Sequence, residues 1–490
     1  MTMLTRLQPS RLWTFFAQIC QIPHPSKQEA ALSNWITNLA SAKKLDFEKD
    51  SKGNLLIRKN ATEGLEHLQP VVLQAHLDMV PQANEETIHD FNKDPIQPYI
   101  DGNWVRAKGT TLGADNGIGA AACLAILTDP AVKHGPLEVL FTIDEEAGMG
   151  GAFGLEPDWF QGKLLINTDA EQDGDIYMGC AGGLEAKLEF PLEVEPLPAG
   201  FMVCRLQLKR LQGGHSGLDI HEDRGNANLL LSRTLARLQA QLTIRIASLN
   251  GGSLRNAIPR EAEAVVAIPS AQYSDLLSLI EQEGALLQRE YKYTDPEIEL
   301  TCTHTATSAV TSVLKQAIQK KWLAGLLAIP NGVIRMSHAV KGIVETSSNL
   351  GILQQDKNKL TAIAFIRSLT DEGRWHLRTL FSAVAECAQA DVIFSGDYSG
   401  WEPDPQSILA QLAQQQHQRL FGTKANIMVI HAGLECGLFK KRYPELDMIS
   451  IGPTIKGAHS PDERVLIPSV ERFWQLLTST LAAIPSQETA

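Results

Sequence analysis

Five places in the chain set a histidine or a carboxylate beside a short apolar run or a glycine-rich turn: His76, Asp115, Glu145-Glu146, Asp169 and His459. The first closes Val71-Val72-Leu73-Gln74-Ala75, an apolar run of strand length. Asp78 follows two residues later, and positions i and i+2 of an extended backbone face one side. His76 could therefore ligate a cation while Asp78 fixes its ring. Leu137–Thr142 runs into Asp144-Glu145-Glu146, Lys163–Asn167 closes on Asp169, and Met448–Gly452 leads towards His459. Asp115 lies in Gly109–Gly119, ahead of a small-residue helix expected over Ala120–Leu127. Any one of these is readily a solvated turn. Five together point to a shared site, because consecutive carboxylates beside an apolar strand are costly unless something cationic holds them. Two histidines and three carboxylates suit one or two borderline divalent ions, zinc first and cobalt or manganese as alternatives. No H-E-x-x-H and no phosphate-binding G-x-x-x-x-G-K-[ST] occurs.

Those residues need an α/β frame, whose ligands bind beyond the carboxyl ends of the strands. Residues 8–45 read as helical, with Ser26 and Glu29 spaced as a capping box for the second helix. Asn54–Arg58 reads as a strand, and a loop-rich stretch from Pro81 to Lys108 turns at Asp101-Gly102. The middle, 187–397, changes character. Strands near 203–208, 242–248 and 256–268 and helices at 226–241 and 273–291 precede a second set. In that set helices are expected near 309–327 and 373–389, with strands near 343–353 and 359–367. This suggests two α+β subunits in one insert, with hinges at Glu193–Pro198 and Ser395–Pro405. Ligand groups on both sides of it, 76–169 and 459, imply a catalytic domain of 1–186 and 398–490 that is split in sequence only.

The totals narrow the class. At 490 residues, two or three domains fit. A net charge of −12 argues against nucleic acid or an anionic membrane as the main partner. The seven cysteines are scattered without C-x-x-C, as in a reducing compartment. Neither a signal peptide nor a membrane span is evident, so the expected location is cytoplasmic.

With His76-Leu77-Asp78, Gly113-Ala114-Asp115-Asn116, Glu145-Glu146, Thr168-Asp169 and Ala458-His459-Ser460 assembled, the sequence resembles the co-catalytic di-zinc peptidases. That superfamily includes aminoacylases, glutamate carboxypeptidases and carnosinases. Val72–Pro81, Gly109–Gly119, Arg255–Arg260, Pro330–Arg335 and Ile430–Lys440 make it most similar to the aminoacyl-histidine (Xaa-His) dipeptidase family. The resemblance implies a mixed-sheet α/β di-zinc exopeptidase domain interrupted by a large α+β lid or dimerisation-type domain, 187–397. It implies that His76 and Asp169 hold one metal, Glu146 and His459 the other, and Asp115 bridges both. Asp78 would orient His76, and a cis peptide would join Asp115 to Asn116. Glu145 would be the general base towards a metal-bridged hydroxide. From the lid, His215 would stabilise the oxyanion, with Asn256 and Arg367 as further substrate contacts, Arg367 for a terminal carboxylate. A structural salt bridge is the rival role for Arg367. Where sibling dipeptidases carry a glycine-rich loop, this chain has His431–Gly437, and the roles of His431 and Glu435 stay open.

The expected activity is hydrolysis of dipeptides, including Xaa-His dipeptides such as β-alanyl-histidine. The alternatives are an N-acyl-amino-acid deacylase or other exopeptidase of this fold, and a non-catalytic peptide-binding relative. Whether the chain pairs as a homodimer is open at this level.

Overall fold

The computed structural model describes residues 3–306 and 310–487. The chain divides into two compact units. One comprises Met1–Cys180, Trp401–Val429 and Leu434–Ala490; the other comprises Ala181–Gly400 and Ile430–Gly433.

The first unit is built on an eight-stranded sheet. Its order is Asp46–Lys49, Leu55–Lys59, Leu137–Thr142, Val71–His76, Leu164–Asn167, Asp447–Ser450, Asp175–Cys180 and Asn426–Ile430. The four middle strands run parallel, and antiparallel strands flank them. Every residue of Val71–His76, Leu137–Thr142 and Leu164–Asn167 is buried. Parallel strands covered on both faces are apolar at both parities, which explains their mainly apolar runs. Gln74 interrupts the first of these runs. It survives burial because its amide is fully engaged, donating to Thr142 and Glu435 and accepting from Asn167. Carboxyl ends of adjacent parallel strands thus bring His76, the 144–146 turn and Asp169 to one edge.

The helix expected at Ala120–Leu127 begins earlier and spans Ala114–Thr128. Its first turn is irregular, with a cis peptide between Asp115 and Asn116. Gly113 before it adopts φ +70°, and a Cβ there would lie 2.9 Å from Met79 Sδ. At Gly119 a Cβ would fall 2.3 Å from Thr168 Oγ1. The small side chains are therefore what let this helix press against the Asp169 loop.

Three local expectations are corrected. Ser26 and Glu29 do not form a capping box: the helix is Ala30–Ala42 with Glu29 at its N-cap position. Instead the Ser26 hydroxyl donates to Asp78 Oδ2, and Glu29 Oε1 accepts from the amides of Lys27 and Asp144. Tertiary partners outcompete the local motif. His459 does not end the strand that leads towards it. Asp447–Ser450 is followed by Ile455–Lys456, which belongs to a separate four-stranded sheet with Arg464–Leu466, Trp104–Ala107 and Pro98–Asp101. His459 sits on the turn between the first two, at φ +62°. The first expected hinge, Glu193–Pro198, contains the strand Val194–Pro196, paired with Ser312–Leu314.

The second unit holds one nine-stranded sheet rather than two subunits. Glu299–Thr305, Phe201–Lys209, Ala262–Pro269 and Arg245–Gly251 continue into Val344–Gln355, Lys359–Ser368, Gly182–Pro191 and Asp391–Tyr398, with Gly332–Met336 alongside. The halves join through the pair Gly251 and Leu353, a long-range contact that no local pattern announces. Alternate residues such as Leu184, Ala186, Leu188 and Phe190, or Cys204, Leu206 and Leu208, turn into the core. Four helices share that core: Ala227–Gln241, Tyr273–Glu290, Gln316–Ala328 and Asp371–Ala388. The expected helix start near 309 lies outside the described residues, and the helix seen begins at Gln316. The expected strand at 256–268 is two, Ala257–Ile258 and Ala262–Pro269.

This unit begins before residue 187 because all of Gly182–Pro191 pairs with Lys359–Ser368. It also takes Ile430–Gly433, which sequence placed in the first domain, because the Ala181 amide donates to the carbonyls of Ile430 and Ala432. Among the described residues no helix is long and apolar enough to cross a membrane.

Candidate metal centre

In the first unit the structure brings His76, Asp115, Glu146, Asp169 and His459 together. His76 Nε2 lies 3.2 Å from Asp115 Oδ1 and 3.1 Å from Asp169 Oδ1. His459 Nε2 lies 3.3 Å from Asp115 Oδ2 and 3.0 Å from Glu146 Oε2. Asp115 thus turns one oxygen to each of two donor sets. Donor atoms of His76, Asp115 and Glu146 all lie within 4.8 Å of one another. The other oxygen of Glu146, Oε1, is buried and has no hydrogen-bond partner. Mixed imidazole and carboxylate donors, with an unpaired buried oxygen among them, fit borderline divalent cations.

The surroundings hold these groups in place. His76 Nδ1 is 3.0 Å from the Asp78 carbonyl and 3.5 Å from its Oδ1. Asp78 also accepts from the amides of Glu145 and Glu146 and from Ser26. Although burial pushes the Asp78 carboxyl upward, His76 and these donors hold it down at about 2. It is an anion that orients both the histidine and the glutamate turn. Asn116 donates to Asp169 Oδ1 at 2.7 Å.

The site is dominated by negative charge. Burial opposes ionisation of Asp115, yet hydrogen bonds from His459 and His76 drive it well below the carboxylate range. Burial raises Glu145 well above its ordinary value; Asp169, Glu435 and Glu146 add to this, while His76 opposes it. Glu146 and Asp169 are raised first by burial as well. His459 is pushed up to about 11 by Asp115 and Glu146. Two imidazoles do not balance this many buried carboxylates, and divalent cations would act in the opposite sense on every one of these acids.

The remaining residues singled out from sequence lie in the second unit. His215 pairs with Ala257 in a two-residue ladder beside Asn256, whose side chain is exposed and whose carbonyl accepts from the Ser216 amide. His215 Nδ1 accepts from the amides of Gly217 and Leu218, so its Nε2 carries the proton. Burial, then Arg367, lower it to about 4, so the ring is neutral near pH 7. Arg367 Nη2 lies 3.4 Å from that nitrogen. Arg367 is buried over the Phe365 ring, with its Nε unpartnered. Among the described residues no carboxylate pairs with it, so the rival salt bridge is not formed. Arg367 also hydrogen-bonds the Tyr398 side chain, so two donors, His215 Nε2–H and Arg367 Nη2, stand side by side here. His431, whose role was open, meets Ser347 Oγ at 2.7 Å, and burial followed by Arg367 lowers it to about 3.

Sequence reasoning passed over Gln74 and Glu463, read Ser26 only as a helix cap, and left Glu435 unassigned. Glu435 is fully buried, accepts from Gln74 and Thr142, and is pushed by burial to about 8. The readable signal was Gln74, a lone amide in an apolar run.

The chain belongs to peptidase family M20/M25/M40, whose model matches residues 72–483. It is 50% identical over 487 residues to the cytosol non-specific dipeptidase of Escherichia coli (strain K12), covering 99% of this chain and all of that one. The crystal structure of aminoacylhistidine dipeptidase from Vibrio alginolyticus superposes with a TM-score of 0.94 at 51% identity, covering 99% of each chain. A tripeptidase from Staphylococcus aureus, 16% identical with a TM-score of 0.56 over 98% of this chain and 99% of that one, shares the fold.

Proposed function

We propose that the chain is a metal-dependent dipeptidase, acting on unblocked dipeptides that include Xaa-His dipeptides such as β-alanyl-histidine. The observation that carries this is Asp115, whose two oxygens each face a separate histidine that in turn meets its own carboxylate, with Glu145 close enough to interact with His76 and Asp169. The substrate class comes from the two dipeptidases that share half of its residues.

In this reading His76 and Asp169 would hold one divalent ion and Glu146 and His459 a second, with Asp115 available to both. Zinc suits the donor set best, with cobalt or manganese as alternatives. Such ions would supply Lewis acidity towards a carbonyl and towards water. Glu145 takes the proton of the attacking water and returns it to the leaving amine. Its backbone tether to Asp78 holds it in place for that transfer. In the second unit, our reading gives the Nε2–H of His215 to the developing oxyanion. Arg367 takes the terminal carboxylate of the dipeptide, and Asn256 is a further substrate contact. The whole unit acts as a lid-type domain. Arg367→Lys keeps the charge but loses the fork, so KM for a dipeptide should rise about 10–100-fold, the size of a charge-assisted hydrogen bond. An unchanged KM would remove Arg367 from substrate binding.

A cytoplasmic setting belongs to the same proposal, in keeping with the relative named for the cytosol and with seven unpaired cysteines. The test is a panel of free dipeptides, their acetylated counterparts and tripeptides. Cleavage of free dipeptides is expected. Cleavage of acylated substrates alone would reassign the chain as a deacylase, and no turnover with metal bound would make it a binding protein.

A further inference from the structure

The loop that carries Asp115 and the turn that carries His459 are separated by more than 300 residues, yet one side chain ties them together. Glu463 is buried, and its carboxylate accepts four successive backbone N–H groups. Oε2 takes those of Leu112 and Gly113 at 2.7 and 2.9 Å, and Oε1 takes those of Ala114 and Asp115 at 2.7 and 3.2 Å. These amides lead into the helix Ala114–Thr128, at whose start the backbone donors lack intrahelical partners and the dipole favours an anion.

At its own end Glu463 is rigid. Its amide donates to the Ser460 carbonyl, and the Ser460 amide and hydroxyl both donate to the Gly457 carbonyl. His459 sits inside that turn, and Gly457 at φ +69° would place a Cβ 3.0 Å from the Asp462 carbonyl. The distance between His459 and Asp115 is therefore set by a short covalent turn plus four hydrogen bonds.

We propose that Glu463 is a positioning residue for the ion shared by Asp115, Glu146 and His459. This rests on the two-ion reading above. Its carboxylate fixes Asp115 relative to His459, whereas His76 and Asp169 are placed by the parallel sheet and do not depend on it. A glutamine has the same shape, but its carbonyl can accept only about two of the four N–H groups, and its own N–H₂ would face the rest.

The test is a calorimetric Zn²⁺ titration of the chelated full-length protein, repeated with Co²⁺ by absorption, for the native chain and Glu463→Gln. The native chain should take two equivalents. The variant should bind the second about 10–100-fold more weakly, as outer partners of ligands do, and the first, which keeps the sheet-placed His76 and Asp169, with a much smaller loss. A folded variant that binds both equivalents like the native chain, merely melting earlier, would reduce Glu463 to a structural role and overturn the proposal. Should Glu463→Gln not fold, Glu463→Asp retains the charge on a shorter arm; the same selective loss is expected, and native binding of both ions again overturns it. If the native chain itself takes fewer than two ions, the two-ion reading fails, independently of the variant.

Discussion

Glu145→Gln should lower dipeptide turnover by about 10²–10⁴-fold, the usual contribution of a positioned acid–base group, with metal content and melting temperature unchanged. The glutamine fills the same space and keeps the backbone bond from residue 145 to Asp78 Oδ1. No metal-facing contact is lost, because Glu146, not Glu145, meets His459. What disappears is a carboxylate whose proton affinity is raised first by burial and then by Asp169, Glu435 and Glu146. The check is kcat for one dipeptide beside metal analysis of the same sample. Turnover within a fewfold of native would strip Glu145 of the base role. Loss of metal along with activity would move it into the ligand set.

Asp115→Ala should cost more, about 10⁴-fold or greater in turnover, as when the central member of a catalytic unit is removed. It should also leave less than two equivalents of metal bound. Each Asp115 oxygen faces a different donor set, so a single truncation strips both. His459 would then lose the first, and His76 one, of the carboxylates that raise their proton affinity, Asp169 and Glu146 remaining. Metal stoichiometry by elemental analysis, alongside kcat, decides this. Two tightly held ions in the alanine variant would contradict the bridging geometry.

What could be read in advance follows from how each element is built. Val71–His76 and Leu137–Thr142 were legible because strands covered on both faces are apolar at most positions of both parities. The residues that close them were legible because a carboxylate or histidine there has no apolar reason to be present. The ladder of the second unit was half legible. Its helices and strands follow period, but the single sheet depends on Gly251 meeting Leu353. Ser26 and Glu29 misled because a local pattern was outbid by Asp78 and Asp144. Glu463 was hidden for the same reason: its partners lie at Leu112–Asp115, and nothing in Ser460–Arg464 reveals them.

The most direct measurement is hydrolysis of β-alanyl-histidine and one other free dipeptide by the chelated protein, followed through stepwise addition of Zn²⁺, Co²⁺ or Mn²⁺. The account predicts no turnover at zero equivalents and restored turnover that saturates near two per chain. Turnover that survives complete chelation, or a fully loaded protein that leaves every free dipeptide intact, would contradict it.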